Sequence, residues 1–136
     1  MSLARSVMFS GRNSSRVLRV DPTGLTLPSF VVNKVYAIGA APGNIIEAVP
    51  ASSSIILGFY LGVDTGGFLL FEQERLVSTA AFTARGTKWY LAAAGALSTT
   101  PSEVEMGVAI SADELMVTGV RDSTGTSGIT GIAVSD

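Results

Sequence analysis

The chain has 136 residues, with no histidine and no cysteine. That excludes Ser-His-Asp and Cys-His triads, thiol nucleophiles, disulfides and Cys/His zinc sites. Apolar residues make up 47% and charged residues 15%, against about 25% charged in a typical globular domain, so much of the surface must be Ser, Thr, Gly and Ala or lie against partners.

The charge is uneven along the chain. The first 20 residues hold Arg5, Arg12, Arg16 and Arg19 and no acid, whereas the remaining 116 carry a net −6. The sequence therefore reads as three parts: a basic N-terminal arm over 1–20, a body over 21–118, and a tail over 119–136.

Arg16 to Val20 alternates charged and apolar residues and is also a strand candidate. Asp21-Pro22-Thr23-Gly24 is a turn signal, with Pro fixing φ and Gly freeing it. Short β runs follow: Phe30 to Ile38, Asn44 to Val49, Ile55 to Val63, Phe68 to Phe71, Thr87 to Leu91, Val104 to Ile110 and Glu114 to Thr118. Alternation in the later runs places Trp89 and Leu91 inward with Lys88 and Tyr90 outward. It places Val104, Met106, Val108 and Ile110 on one face, and Leu115 and Val117 opposite Glu114, Met116 and Thr118. No window sustains a helical stripe over three turns. The expected fold class is all-β, a compact β-barrel or β-sandwich. After the polar stretch Ser123 to Gly128, the end of the chain reads as a flexible tail or as an added edge strand, in this subunit or in a neighbour.

No membrane span is expected, because the longest strongly apolar run, Ile55 to Val63, has nine residues and a helix needs about 20. Val7-Met8-Phe9 is too short for the apolar core of a signal peptide.

Two stretches share an order of landmarks. Lys34-Val35-Tyr36, Gly43, Pro50, Gly58, Asp64 and Leu69-Leu70-Phe71 match Lys88-Trp89-Tyr90, Gly95, Pro101, Gly107, Asp113 and Leu115-Met116-Val117. This predicts a degenerate internal duplication, with copies over about 30–72 and 84–118.

Candidate chemistry is sparse. The pairs Glu72/Glu74, Glu103/Glu105 and Asp113/Glu114 read as solvated charge, since strand neighbours on an open face make no glycosidase cleft. No calcium loop, phosphate loop or dinucleotide fingerprint is present, so no metal and no cofactor are expected. The acidic body disfavours nucleic acid. Trp89, with Tyr90 beside it, is either core or an aromatic contact. The four arginines suit an acidic partner. Exposed ion pairs contribute only about 0.2–1 kcal/mol each, so such an arm works best on an oligomer facing a repetitive surface.

Ala84 to Leu91, Gly95 to Pro101, Val104 to Ile110 and Glu114 to Val117 form a pattern: G-x-x-φ-Y-φ, a glycine turn, L-[ST]-T-x-P, φ-G-φ-A and a short apolar strand, where φ is apolar. This pattern resembles the small β-barrel proteins that decorate bacteriophage heads (capsid cement proteins), and is also similar to β modules of phage tail fibres. Lys34 to Phe71 resembles the first half of the same unit. The resemblance covers about residues 30–118. It implies a non-enzymatic homotrimer or other homo-oligomer on the capsid surface of a virion, bracing the major capsid protein. In that setting the arm residues Arg5, Arg12, Arg16 and Arg19 make the contact, an assignment drawn from charge and position. The tail-fibre likeness implies instead a receptor-binding module that meets a host glycan through Trp89 and Tyr90.

Overall fold

The computed structural model describes residues 16–41, 43–51 and 54–120 and the backbone of Ala133–Ser135. Eleven strands follow in order: β1 Val17–Asp21, β2 Val35–Ile38, β3 Ile45–Glu47, β4 Ile56–Val63, β5 Leu69–Glu72, β6 Arg75–Val77, β7 Lys88–Leu91, β8 Leu97–Ser98, β9 Glu105–Ala109, β10 Glu114–Val117 and β11 Ala133–Ser135. The only helical element among the described residues is a single 3₁₀ turn, Ala93–Gly95. The fold is all-β, as the alternation predicts.

The strands form two antiparallel sheets, ordered β11-β1-β5-β4-β2-β3 and β6-β10-β9-β7-β8. They stack as a sandwich and do not close into a barrel. Without β11, the first order is 1-5-4-2-3, and the second repeats it strand for strand. The duplication expected from the landmarks is thus a duplication of topology.

The register shows how the copies superpose. Tyr36 pairs with Gly58 and Trp89 with Gly107, and in both units the register slips at the next residue, a β-bulge. Leu18 faces Phe71, and Leu76 faces Leu115. Ile38 faces Ile45, and Leu91 faces Leu97. The partner of Tyr36 is therefore Trp89. Matching Lys34-Val35-Tyr36 to Lys88-Trp89-Tyr90 is one residue out of register, and a one-residue slip exchanges the two faces of a strand.

Two cores result, and they show how the units stack. The first lies on one face of sheet 1 and holds Leu18, Tyr36, Leu57, Tyr60, Leu69 and Phe71. The connection from β1 to β2 crosses this face and lays down Phe30, which stacks on Tyr60 at 4.5 Å and meets Tyr36 edge-on at 4.8 Å. The second core lies between the sheets. Sheet 1 contributes Val35, Ala37, Ile56 and Phe59 from its other face, and sheet 2 contributes Leu76, Leu91, Met106, Ala109 and Leu115. The connection from β6 to β7 lays down Phe82 edge-on to Trp89, centroids 6.0 Å apart, as Phe30 does to Tyr36. The units therefore stack front to back, the back of the first on the front of the second.

Several expectations change. The run from Phe30 becomes a strand only at Val35, because Lys34 N–H turns back to the Val31 carbonyl and Asn33 sits at φ 72°. Val108 leaves the face of Val104 and Met106. The bulge places Met106 and Gly107 on the same side, so Val108 pairs with Lys88 and Met116 and faces outward. Strand β6 carries no sequence alternation long enough to predict it. The tail reading resolves at its end, where Ala133–Ser135 pairs with β1 of the same chain; residues 121–132 lie outside the described residues.

Candidate functional site

Of the four arm arginines, Arg5 and Arg12 lie outside the described residues. Arg16 is exposed, and its carbonyl accepts the Gln73 N–H at 2.8 Å. Arg19 belongs to the body, inside β1. Its Nε donates to Asp64 Oδ2 at 3.1 Å, and its guanidinium lies over the Phe68 ring at 4.2 Å. The arm therefore ends before Arg16 and not at residue 20. The apolar alternation of Val17, Leu18 and Val20 pulls this stretch into the sheet.

Asp64 organises the β4–β5 turn. Desolvation pushes its carboxyl up, but the N–H groups of Phe68 and Gly66 and the Arg19 side chain outweigh that and hold it below the usual carboxylate range. Lys34 donates to Glu47 Oε2 at 2.7 Å, which raises its ammonium pKa.

Four carboxylates of these pairs sit in separate local contacts. Glu72 is buried at the end of β5, where its Oε2 accepts the N–H groups of Glu74 and Arg75. Asp113 accepts the Ala80 N–H at 2.7 Å. Glu105 pairs with Lys88 at 3.9 Å, and Glu114 with Arg75 at 3.0 Å.

Trp89 and Tyr90 stand on opposite faces of β7, as the alternation predicts. Trp89 packs against the inter-sheet core and lines a cleft of about 370 Å³ with Val31, Val32, Lys34, Phe82 and Leu97. Its Nε1 is buried and has no hydrogen-bond partner among the described residues.

Tyr90 lies on the outer face of sheet 2. The register sets Arg75, Met116, Val108 and Lys88 side by side in one row across four strands. Val77 and Glu114 flank that row on one side, and Glu105, Tyr90 and Ser98 on the other. Met116 is 47% and Val77 59% exposed. The result is an apolar centre of Met116 and Val108 bordered by two ion pairs, the polar-rimmed layout of a non-obligate contact surface. Its counterparts on sheet 1 are mostly apolar and buried: Val35 stands where Lys88 does, Ala37 where Tyr90 does, Ile56 where Glu105 does and Phe59 where Val108 does.

The sequence alternation alone places Met116 and Tyr90 outward. It misplaces Val108, because the bulge at Gly107 reverses the count, and gives no sign of Arg75, because its strand is three residues long. A scan against known protein families and searches of curated proteins and of solved structures give no match for this chain.

Proposed function

We propose that the chain is a non-enzymatic structural protein of a phage virion, which binds the outside of an assembled capsid and stabilises it. The observation that carries this reading is the outer face of sheet 2. Its counterpart on sheet 1 is the face by which the first unit packs on the second, and here the same face carries no further layer among the described residues and is rimmed with charge. Such a face suits a contact made after folding. The resemblance of residues 84–117 names the partner, a major capsid protein.

Size points to the rest. Five short strands present roughly 20 by 15 Å of sheet, roughly 300 Å². A standard interface needs about 800 Å² per partner. One face is too small to hold a monomer on a shell. A homotrimer or other homo-oligomer, with the basic N-terminal segment added, multiplies weak contacts by avidity.

Purified protein mixed with capsids that lack it should co-sediment at low salt and dissociate in part at high salt, since exposed charge pairs are screened. Absence of co-sedimentation at any salt overturns the reading. Binding to host cells instead favours a receptor-binding module. Among the described residues, Trp89 in its cleft suits that alternative, while Tyr90 lies on the other face of the strand.

A further inference from the structure

The outer face of sheet 2 carries its charges in an order that complements itself. Arg75, Met116, Val108 and Lys88 stand in one row. Glu114 lies next to Met116 along β10, and Glu105 lies next to Val108 along β9 in the opposite direction, beyond the bulge. Around the apolar pair Met116 and Val108 the order is therefore Arg75, Glu114, Lys88, Glu105, positive and negative in alternation. With strands about 4.8 Å apart and alternate residues about 6.8 Å apart along each, all four stand about 7 Å from the centre of the face. Val77 occupies the corner between Arg75 and Glu114, and Tyr90 the opposite corner between Lys88 and Glu105. Ion pairs within the chain, Arg75 to Glu114 at 3.0 Å and Lys88 to Glu105 at 3.9 Å, set these side chains beside the two corners.

We propose that a second copy of this chain covers this face in free solution, the two outer faces meeting about a two-fold axis. The axis lies in the plane of contact and runs from the Val77 corner to the Tyr90 corner. Turned over about it, Arg75 of each copy falls on Glu114 of the other, and Lys88 on Glu105. Each corner then becomes a square of two cations and two carboxylates in which every edge joins opposite charges. Val77 meets Val77, Tyr90 meets Tyr90, and Met116 and Val108 close on their copies between them. The strands of the two copies cross at about 70°, near the orthogonal class of sheet packing. An isologous contact needs one surface that complements itself, and the alternating ring supplies it.

The contact is small. The face offers roughly 300 Å² per copy, against about 800 Å² in a standard interface, so the pairing is weak, with a Kd on the order of 1 mM. Weak pairing suits a face that has a second use. In free solution each copy shields Met116 and Val108 of the other, and a shell partner displaces one copy from the other without a large penalty. The pairing holds or fails independently of what that partner is.

Sedimentation equilibrium of the full chain, with no capsid present, tests this. The sedimenting mass of the parent should rise toward double its dilute value as concentration approaches about 1 mM, and about 0.5 M salt should weaken the pairing because the charges are screened. Arg75→Glu should weaken it at least about tenfold, since the Val77 corner then holds four carboxylates. Arg75→Glu combined with Glu114→Arg restores the alternation, so it should self-associate within about threefold of the parent. The same double variant should not pair with the parent, because like charges then face each other at that corner. If Arg75→Glu alone fails to fold, the double variant, by itself and mixed with the parent, still decides. The proposal is overturned if the parent keeps one mass throughout, if the double variant does not recover, or if it pairs with the parent as well as with itself. The capsid reading survives each of these outcomes, since no shell takes part.

Discussion

Tyr36 and Trp89 hold the same place in the two units. Each stands opposite a bulge glycine, Gly58 or Gly107, and each receives a phenylalanine edge-on from the preceding connection. Tyr36 is fully buried under Phe30, and its hydroxyl accepts the Val31 N–H at 2.7 Å. Trp89 is half-buried at a cleft, with an indole N–H that has no partner among the described residues.

The bulge glycines are the first test of this equivalence. A side chain at Gly58 would overlap the Glu72 carbonyl oxygen, and Gly58 sits at φ 131°. A side chain at Gly107 would meet the Met116 carbonyl oxygen, the counterpart in the second unit. Gly58→Ala and Gly107→Ala should each lower stability by about 1–3 kcal/mol in urea unfolding, with Gly58→Ala the costlier because of its φ. No loss in either variant would contradict the close approach of β4 to β5 and of β9 to β10.

Trp89→Phe should be nearly neutral, within about 1 kcal/mol, since the indole N–H has no partner among the described residues and the substitution keeps a ring against Phe82. Tyr36→Phe should cost about 1 kcal/mol, because it removes the part-buried hydrogen bond that the Tyr36 hydroxyl accepts from the Val31 N–H. The two variants measured side by side separate a working polar tip from an idle one.

Acid stability follows from Asp64. Its carboxyl pKa lies below the ordinary 3.8 in the folded protein. A lowered folded pKa stabilises above the unfolded pKa, and that contribution is lost as pH falls below about 4 through the folded value. Asp64→Asn should flatten that part of the acid limb. Asp21, lowered by the Thr23 N–H, acts in the same direction and keeps some slope. Arg19→Ala should cost about 1 kcal/mol near neutral pH, from the ion pair and the contact with Phe68.

Much of the fold is legible in the sequence because alternation and turn residues agree. Asp64-Thr65-Gly66-Gly67 marks its turn, and Glu114 to Val117 marks its faces. The repeat is legible too, through Gly58 and Gly107. The failures have physical causes. A bulge adds one residue and reverses every later side chain, which misplaces Val108. Phe30 is apolar because it covers a sheet and not because it belongs to one. Arg19 reads as arm charge, but its guanidinium lies over Phe68 and pairs with Asp64 from within a strand. The outer face is hardest to see, because its rows join residues from four strands whose register only the folded chain defines.

The outer face carries the central claim, and one binding measurement tests it. Val108→Glu combined with Met116→Glu adds two charges at the centre of the face without entering either core. The doubly substituted protein should unfold within about 1 kcal/mol of the parent, as surface changes do. Sedimented with capsids that lack the protein, it should bind at least about tenfold more weakly than the parent chain, a loss of about 1.4 kcal/mol. Equal binding by the two proteins would contradict the account.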